Sequence, residues 1–368
     1  MSNLSKTEKA ILELIANNPY VGQSEIADKI GFARSTVAVQ ITQLVSKGYL
    51  LGRGYILPSP QKITCIGGIA YNRKYALDIS PILGTSNPAI SSQNHGGVVR
   101  NIAENLARLG VDVSLISIVG EDYSGKELLA FLRNLGVDVS QVSVSHNAPT
   151  AEYVAIFDNE NELVFGLSSM EILDQMTSAK IERSWSHLSS SDWVVLDCNL
   201  PADTIETVLQ LKQKGAFKVA VDTVSVSKAK RLFDDLSNID LLFTNRAEAT
   251  AILDLDPTAP EQRLEDIAAL LRDRGAKGVI ITDGAAGHVV DMDESRFRTP
   301  AIPVTVANVS GAGDALVAGL LFKLRTGASI RESSQTGALL SALTVESVME
   351  VAQDLSVDRL NEYADSTL

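Results

Sequence analysis

Near the C-terminus the chain reads Asn308-Val-Ser-Gly-Ala-Gly-Asp314, and an apolar stretch, Ala315 to Leu321, follows at once. Small residues let backbone N–H groups come close to an anion, and the start of a helix adds a favourable dipole. Gly311, Ala312 and Gly313 are therefore candidates for an anion hole. A carboxylate at the same spot opposes phosphate binding unless it has a chemical task. The task that fits is general base: Asp314 takes the proton of a hydroxyl whose oxygen attacks phosphorus. The plainer alternative is a glycine-rich turn with Asp as an ordinary helix cap.

Two further segments could serve such a reaction. In Gly96-Gly-Val-Val-Arg-Asn101 a glycine pair precedes a helix that closes at Gly110. The pair would let backbone meet a polyhydroxylated ligand, and Asn101 can both donate to and accept from hydroxyls; otherwise this is a well-punctuated surface helix. In Phe243-Thr-Asn-Arg-Ala-Glu248 an apolar strand ends at Asn245 and Glu248, the place where open α/β sheets put ligands. The alternative there is Asn245 and Glu248 as a capping pair.

Behind these residues the pattern alternates. Apolar strand-like runs at 63–66, 113–119, 193–196, 219–221, 241–243 and 279–281 are separated by helical stretches such as 98–109, 125–135 and 262–274. That alternation predicts a mostly parallel sheet covered by helices on both faces. Runs at 153–157 and 163–166 flank a polar turn and read as a β-hairpin outside the main sheet.

The motifs GGxxxN…LG at 96–110, NxxE at 245–248 and GAGD at 311–314, in this order, resemble the PfkB or ribokinase family of carbohydrate kinases, over about residues 62–368. Asp197-Cys-Asn199, Thr244-Asn-Arg-Ala-Glu248 and the 308–314 loop are most similar to pseudouridine kinases. The resemblance implies a ribokinase-like α/β fold with a small β lid that includes the 153–166 hairpin, excludes water and often forms a dimer contact. It implies ATP and Mg²⁺ as cofactors and a nucleoside or small sugar as acceptor. Asp314 would be the base, with Gly311, Ala312 and Gly313 as the anion hole. Asn245, Thr282, Gly284 and Asn308 would line the ATP side, and Glu248 would hold Mg²⁺ through water. Asn72, Gly96, Gly97, Asn101 and Asn199 would face the acceptor.

Four departures bear on the acceptor and the ions. Ala70 and Asn72 stand where relatives carry an Asn and an Asp that bind sugar hydroxyls, and Ser169 stands where pseudouridine kinases tend to have an acid. An amide lacks the charge-assisted strength of a carboxylate. Asn308 stands where many relatives have an Asp that helps bind potassium, which leaves K⁺ activation open.

Charge sets the first segment apart. Residues 1–62 hold seven Lys/Arg against four acids, a balance of +3, and the remainder carries −16 of the total −13. Helical patterns at 4–17, 23–30 (capped near Gln23 and Ser24) and 35–46 precede a hairpin at 48–57 and a Pro-Ser-Pro linker. Val37, Val39, Ile41 and Leu44 are available to a core. This head resembles a winged helix-turn-helix. Ser35, Thr36, Gln40 and Gln43 would then meet base edges, Arg34 and Lys47 phosphates, and Arg53 the minor groove. The domains expected are 1–58 (DNA-binding), 59–62 (linker) and 63–368 (kinase).

Two cysteines outside any CxxC pair and four scattered histidines point away from a disulfide or zinc site. No apolar run is long enough for a membrane span and no signal-peptide pattern opens the chain, so a cytoplasmic protein, dimeric through its head or lid, is expected. The competing functions are a kinase with an attached regulator, a transcription factor that uses a kinase fold as a nucleoside or sugar sensor, and a kinase whose head only assembles it.

Overall fold

The computed structural model describes residues 4–17, 21–51, 61–160, 162–256 and 262–367. The head forms α1 (Lys6–Asn17), α2 (Gln23–Ile30) and α3 (Arg34–Ser46). They enclose their own core of Ile11, Ile15, Ile26, Val37, Ile41 and Leu44. Val37, Ile41 and Leu44 fall on one face at helical spacing. Val39 lies off that face and is 55% exposed, which corrects its assignment to the core. The cap of α2 is also displaced: it is the extended Gly22, not residue 23 or 24. Most of the expected hairpin, with Arg53 and the 58–60 linker, lies outside the described residues.

Thirteen strands follow among the described residues: β1 (Ile63–Ile66), β2 (Ala70–Leu77), β3 (Ala89–Gly96), β4 (Val113–Gly120), β5 (Asp138–Ser145), β6 (Ala151–Phe157), β7 (Leu163–Ser169), β8 (Trp193–Asp197), β9 (Lys218–Asp222), β10 (Leu241–Asn245), β11 (Gly278–Thr282), β12 (His288–Met292) and β13 (Ser295–Thr299). The large sheet runs β13-β12-β11-β10-β9-β8-β1-β4-β5. It is parallel from β5 to β11 and antiparallel at its β12–β13 edge. Every residue of β1, β4 and β8 is buried, which explains their unbroken apolar runs. Two hydrophobic cores, one on each face, complete the layered architecture.

The small sheet is larger than the expected hairpin. Its order is β3-β2-β6-β7, with β2 pairing parallel to β6. β2 and β3 escape a reading by hydropathy because they are polar: β3 reads Ala-Ile-Ser-Ser-Gln-Asn-His-Gly and is largely exposed. Their ends matter most. β1 passes through Gly67 and Gly68 into β2, and β3 runs into Gly97 at the start of α4 (Val98–Arg108). The small sheet is thus hinged directly on the glycine pairs.

Candidate active site

The parallel strands β1, β8, β9, β10 and β11 all end on one side of the large sheet, facing the N-terminus of the helix Ala312–Leu324. Gly311 caps that helix in the left-handed conformation, with φ of 84°, and a Cβ on it would lie 2.1 Å from the carbonyl oxygen of Glu350. Only glycine fits both constraints. The turn delivers Asp314 into the first helical turn, 9% exposed.

Asn101 Nδ2 donates to Asp314 Oδ2 at 2.6 Å. Burial is the main cause that pushes the Asp314 carboxyl up to about 7; the nearby Glu350 adds to this and the Asn101 hydrogen bond opposes it. A carboxylate of that strength is matched to taking a proton near neutrality.

On one side of Asp314 lies a cavity of about 170 Å³ lined by Asp222, Val224, Asn245, Glu248, Thr282 and Gly313, among others. Asn245 and Glu248 form the reciprocal capping box at the end of β10. Glu248 also accepts from the Thr223 hydroxyl at 2.5 Å. The capping role and a place in the cavity therefore coexist. Burial raises the Asp222 carboxyl well above the usual range, and Asp314 and Glu248 push the same way. Val224, two residues on, holds a positive φ of 67°, strained for a β-branched residue.

Three carboxylates and no Lys or Arg line this cavity. Such a donor set suits a hard divalent cation with its phosphates. Among the described residues no three His, Cys, Asp or Glu side chains converge into a direct metal cage. Glu248 and Asp222 are, with Asp314, the acids of the cavity lining. Gly284 begins a single turn two residues beyond Thr282. Asn308 accepts from Ser310 N–H at 3.0 Å and donates to the Val348 carbonyl at 3.2 Å. Neither Gly284 nor Asn308 lines the cavity.

Of the residues expected to face an acceptor, Asn101 is the one hydrogen-bonded to Asp314. Asp197, fully buried at the end of β8, accepts from the N–H groups of Gly68 (3.0 Å), Val99 (3.4 Å) and Asn199 (2.9 Å), so it binds both glycine turns to one strand end. Burial raises its carboxyl while those hydrogen bonds pull the other way. Lys228 Nζ donates to Asn199 Oδ1 in a close contact. Arg231 donates to the carbonyls of Cys198, Asn199 and Leu200, holding the loop that carries Asn199. Asn72 Nδ2 donates to Glu350 at 2.6 Å.

Sequence reasoning missed Asp222 and Glu350. Asp222 closes Val-Ala-Val-Asp, an apolar strand ending in a polar residue as β10 does, and that signal could have found it. Glu350 has no local signal: it lies in a loop and meets Asn72 across 278 residues.

In the head, Arg34, Ser35, Thr36 and Gln43 are exposed on α3, and Gln40 is half-buried. Lys47 pairs with Glu8 at 2.6 Å, and its side chain is 41% exposed. The C-terminal end of α3 leans on the large body. Trp185 Nε1 donates to the Ser46 carbonyl at 2.9 Å, and Gly48, with φ of 76°, sits where a Cβ would be 1.9 Å from the Ser189 carbonyl oxygen.

Comparison with known proteins agrees with this geometry. Residues 61–352 match the model of the pfkB family carbohydrate kinases, and residues 4–50 match a winged helix-turn-helix DNA-binding model. The chain is 31% identical over 341 residues to an uncharacterized sugar kinase, YeiI, of Escherichia coli K12, covering 93% of this chain and 94% of that protein. It is 30% identical over 274 residues to the pseudouridine kinase of the same organism, covering 74% and 86%. A solved carbohydrate kinase from Agrobacterium tumefaciens superposes with a TM-score of 0.73 at 30% identity, covering 83% of this chain and 97% of that one. The chain belongs to the pfkB family of carbohydrate kinases, phosphotransferases that act on hydroxyl groups, and carries a winged helix-turn-helix domain at its head.

Proposed function

We propose that this kinase transfers the γ-phosphoryl group of ATP to a hydroxyl of a pseudouridine-like nucleoside, and that its head binds DNA to couple the enzyme to transcription. The observation that supports the reading is the 2.6 Å hydrogen bond from Asn101 to Asp314, beside a cavity whose lining also holds Asp222 and Glu248. The similarity to a pseudouridine kinase supports the acceptor class.

In this reading the acceptor hydroxyl gives its proton to Asp314 as its oxygen bonds to the γ-phosphorus. The bond from phosphorus to the β,γ-bridging oxygen breaks, and ADP leaves with that electron pair. The N–H groups of Gly311, Ala312 and Gly313, at the helix start, stabilise charge on the transferring group. Asn245 and Thr282 line the nucleotide side. Glu248 and Asp222 would hold magnesium through water, and the ion would supply neutralisation of phosphate charge. Domain limits of 1–58 and 63–368, a homodimer readable by sedimentation, and residence in the cytoplasm, where ATP and DNA both are, complete the proposal.

A second reading, a transcription factor that only senses the nucleoside, draws on the way Asn245 and Glu248 satisfy each other as a cap. Turnover of ATP with pseudouridine, uridine and ribose decides between the two. The kinase reading expects phosphorylation of pseudouridine and a loss of about 10²–10⁴-fold in kcat for Asp314→Asn. No turnover on any of the three, together with nucleoside-dependent DNA binding, would overturn it.

A further inference from the structure

Glu350 is a buried carboxylate, 6% exposed, whose hydrogen-bond partners among the described residues are two amides. Oε1 accepts from Asn72 Nδ2 at 2.6 Å and Oε2 accepts from Asn101 Nδ2 at 3.3 Å. Asn101 Nδ2 has two hydrogens, so it can serve Glu350 and Asp314 together. Its Oδ1 is taken by Arg100 in a close contact. Both hydrogens of the Asn101 amide are thus used within the protein, one of them on Asp314. The amide of Asn72 is not closed in the same way. A carboxylate only accepts, so Glu350 draws Nδ2 toward itself and turns Oδ1 of Asn72 away, free to accept from another donor. The backbone of Glu350 also abuts Gly311, so one residue touches the β2 amide, the α4 amide and the anion-hole turn.

We propose that Glu350 is a positioning residue for the acceptor: it fixes the Asn72 amide so that Oδ1 receives a hydroxyl of the nucleoside, and it holds Asn101 against the base. The inference rests on the kinase reading above. It assigns Asn72 and Glu350 to one functional unit, in which one partner donates and the other accepts, rather than to two independent contacts.

A double-mutant cycle tests the unit with pseudouridine and MgATP. In Glu350→Gln the new side chain can donate as well as accept, so the Asn72 amide loses its fixed orientation. The KM for pseudouridine is expected to rise about tenfold, the worth of one hydrogen bond, with the KM for ATP unchanged. Asn72→Asp places two carboxylates in contact and is expected to raise the same KM at least as much. In Asn72→Asp/Glu350→Gln a donor faces an acceptor again, and the KM is expected to return to within about threefold of wild type, against the hundredfold that independent effects would give. A second readout is the acidic limb of the kcat/KM profile. Asp314 is faced by Glu350, Arg100, Asp197 and Asp222. Removing the Glu350 charge is expected to move the limb to lower pH, which a merely structural role would not do. Melting temperatures of all four proteins identify any variant that fails to fold, and Glu350→Ala, which likewise removes the charge and the acceptor, then replaces Glu350→Gln for the KM and pH readouts.

Additive effects in the cycle, or an unmoved limb, would overturn the inference while leaving the kinase reading intact. Absence of wild-type turnover would instead overturn the kinase reading. The cycle would then be read from calorimetric Kd values for pseudouridine, and equal Kd values in wild type and Glu350→Gln, or no binding, would overturn the inference too.

Discussion

At the scale of single residues, Asp314 joins reactivity to instability. Its carboxyl is pushed up to about 7 by burial, above an ordinary value of 3.8. The proposed base works when deprotonated, so kcat/KM should fall about tenfold per unit as pH drops below about 7 and level off above it, as a pH–rate profile would show. The same shift acts on stability with a definite sign. Between about 4 and 7 the folded chain holds a proton that the unfolded chain has released, so stability contributed by the protonated group is lost as pH rises through the folded value. Asp314→Asn removes this dependence. Its melting temperature should exceed that of wild type at pH 8, with the difference vanishing near pH 4; an equal difference at both would refute the assignment. Residues of this kind were partly legible. Asp314, Asn245, Glu248 and Asn101 announce themselves because each sits at a strand end or helix start with small neighbours. Asn72 reads in sequence as a charge lost, and it takes the fold to show that a carboxylate stands beside it on Glu350.

At the scale of elements, strand ends and helix starts do the positioning. Asp197 ties both glycine turns to β8, and the Gly311 turn fixes where the helix Ala312–Leu324 begins. Gly311→Ala demands a left-handed backbone from a residue with a Cβ and drives that Cβ into the Glu350 carbonyl. A cost of about 1–3 kcal/mol in stability is expected from the backbone alone. The proposed anion hole and the Glu350 loop meet at this turn, so chemical denaturation should show the loss and steady-state kinetics a fall in kcat. The buried parallel strands were legible because both faces are covered and their sequences stay apolar throughout. β2 and β3 were not, because a sheet with one open face tolerates polar residues such as the Ser91-Ser92-Gln93-Asn94 run. The edge strand β13 is mostly polar, reading Ser-Arg-Phe-Arg-Thr, and β5 mixes Asp, Ser and Gln with its valines, which hides its period.

At the scale of the whole molecule, a head of charge +3 is carried on a body of −16. Lys47 pairs with Glu8, and Arg34 is exposed at the start of α3. Arg34→Ala should therefore weaken binding to duplexes selected from a random pool and lower the salt slope by about one per head, as titrations at several salt concentrations would show. An unchanged slope would remove Arg34 from the phosphate contacts. The Trp185 hydrogen bond to Ser46 and the seat of Gly48 against Ser189 have a consequence for the length of DNA the protein can hold. Because α3 is clamped at its C-terminal end, a duplex lying along it cannot be carried clear of the body by a swinging tether. Flanking DNA that runs past the bound site enters the field of an acidic surface and is repelled. Extending a selected site on the body side should then weaken binding at low salt, and the penalty should fade as salt screens it. The protein would thus favour sites near a bend or an end, and the kinase body itself would act as the ruler that limits how much straight DNA its reading head can use.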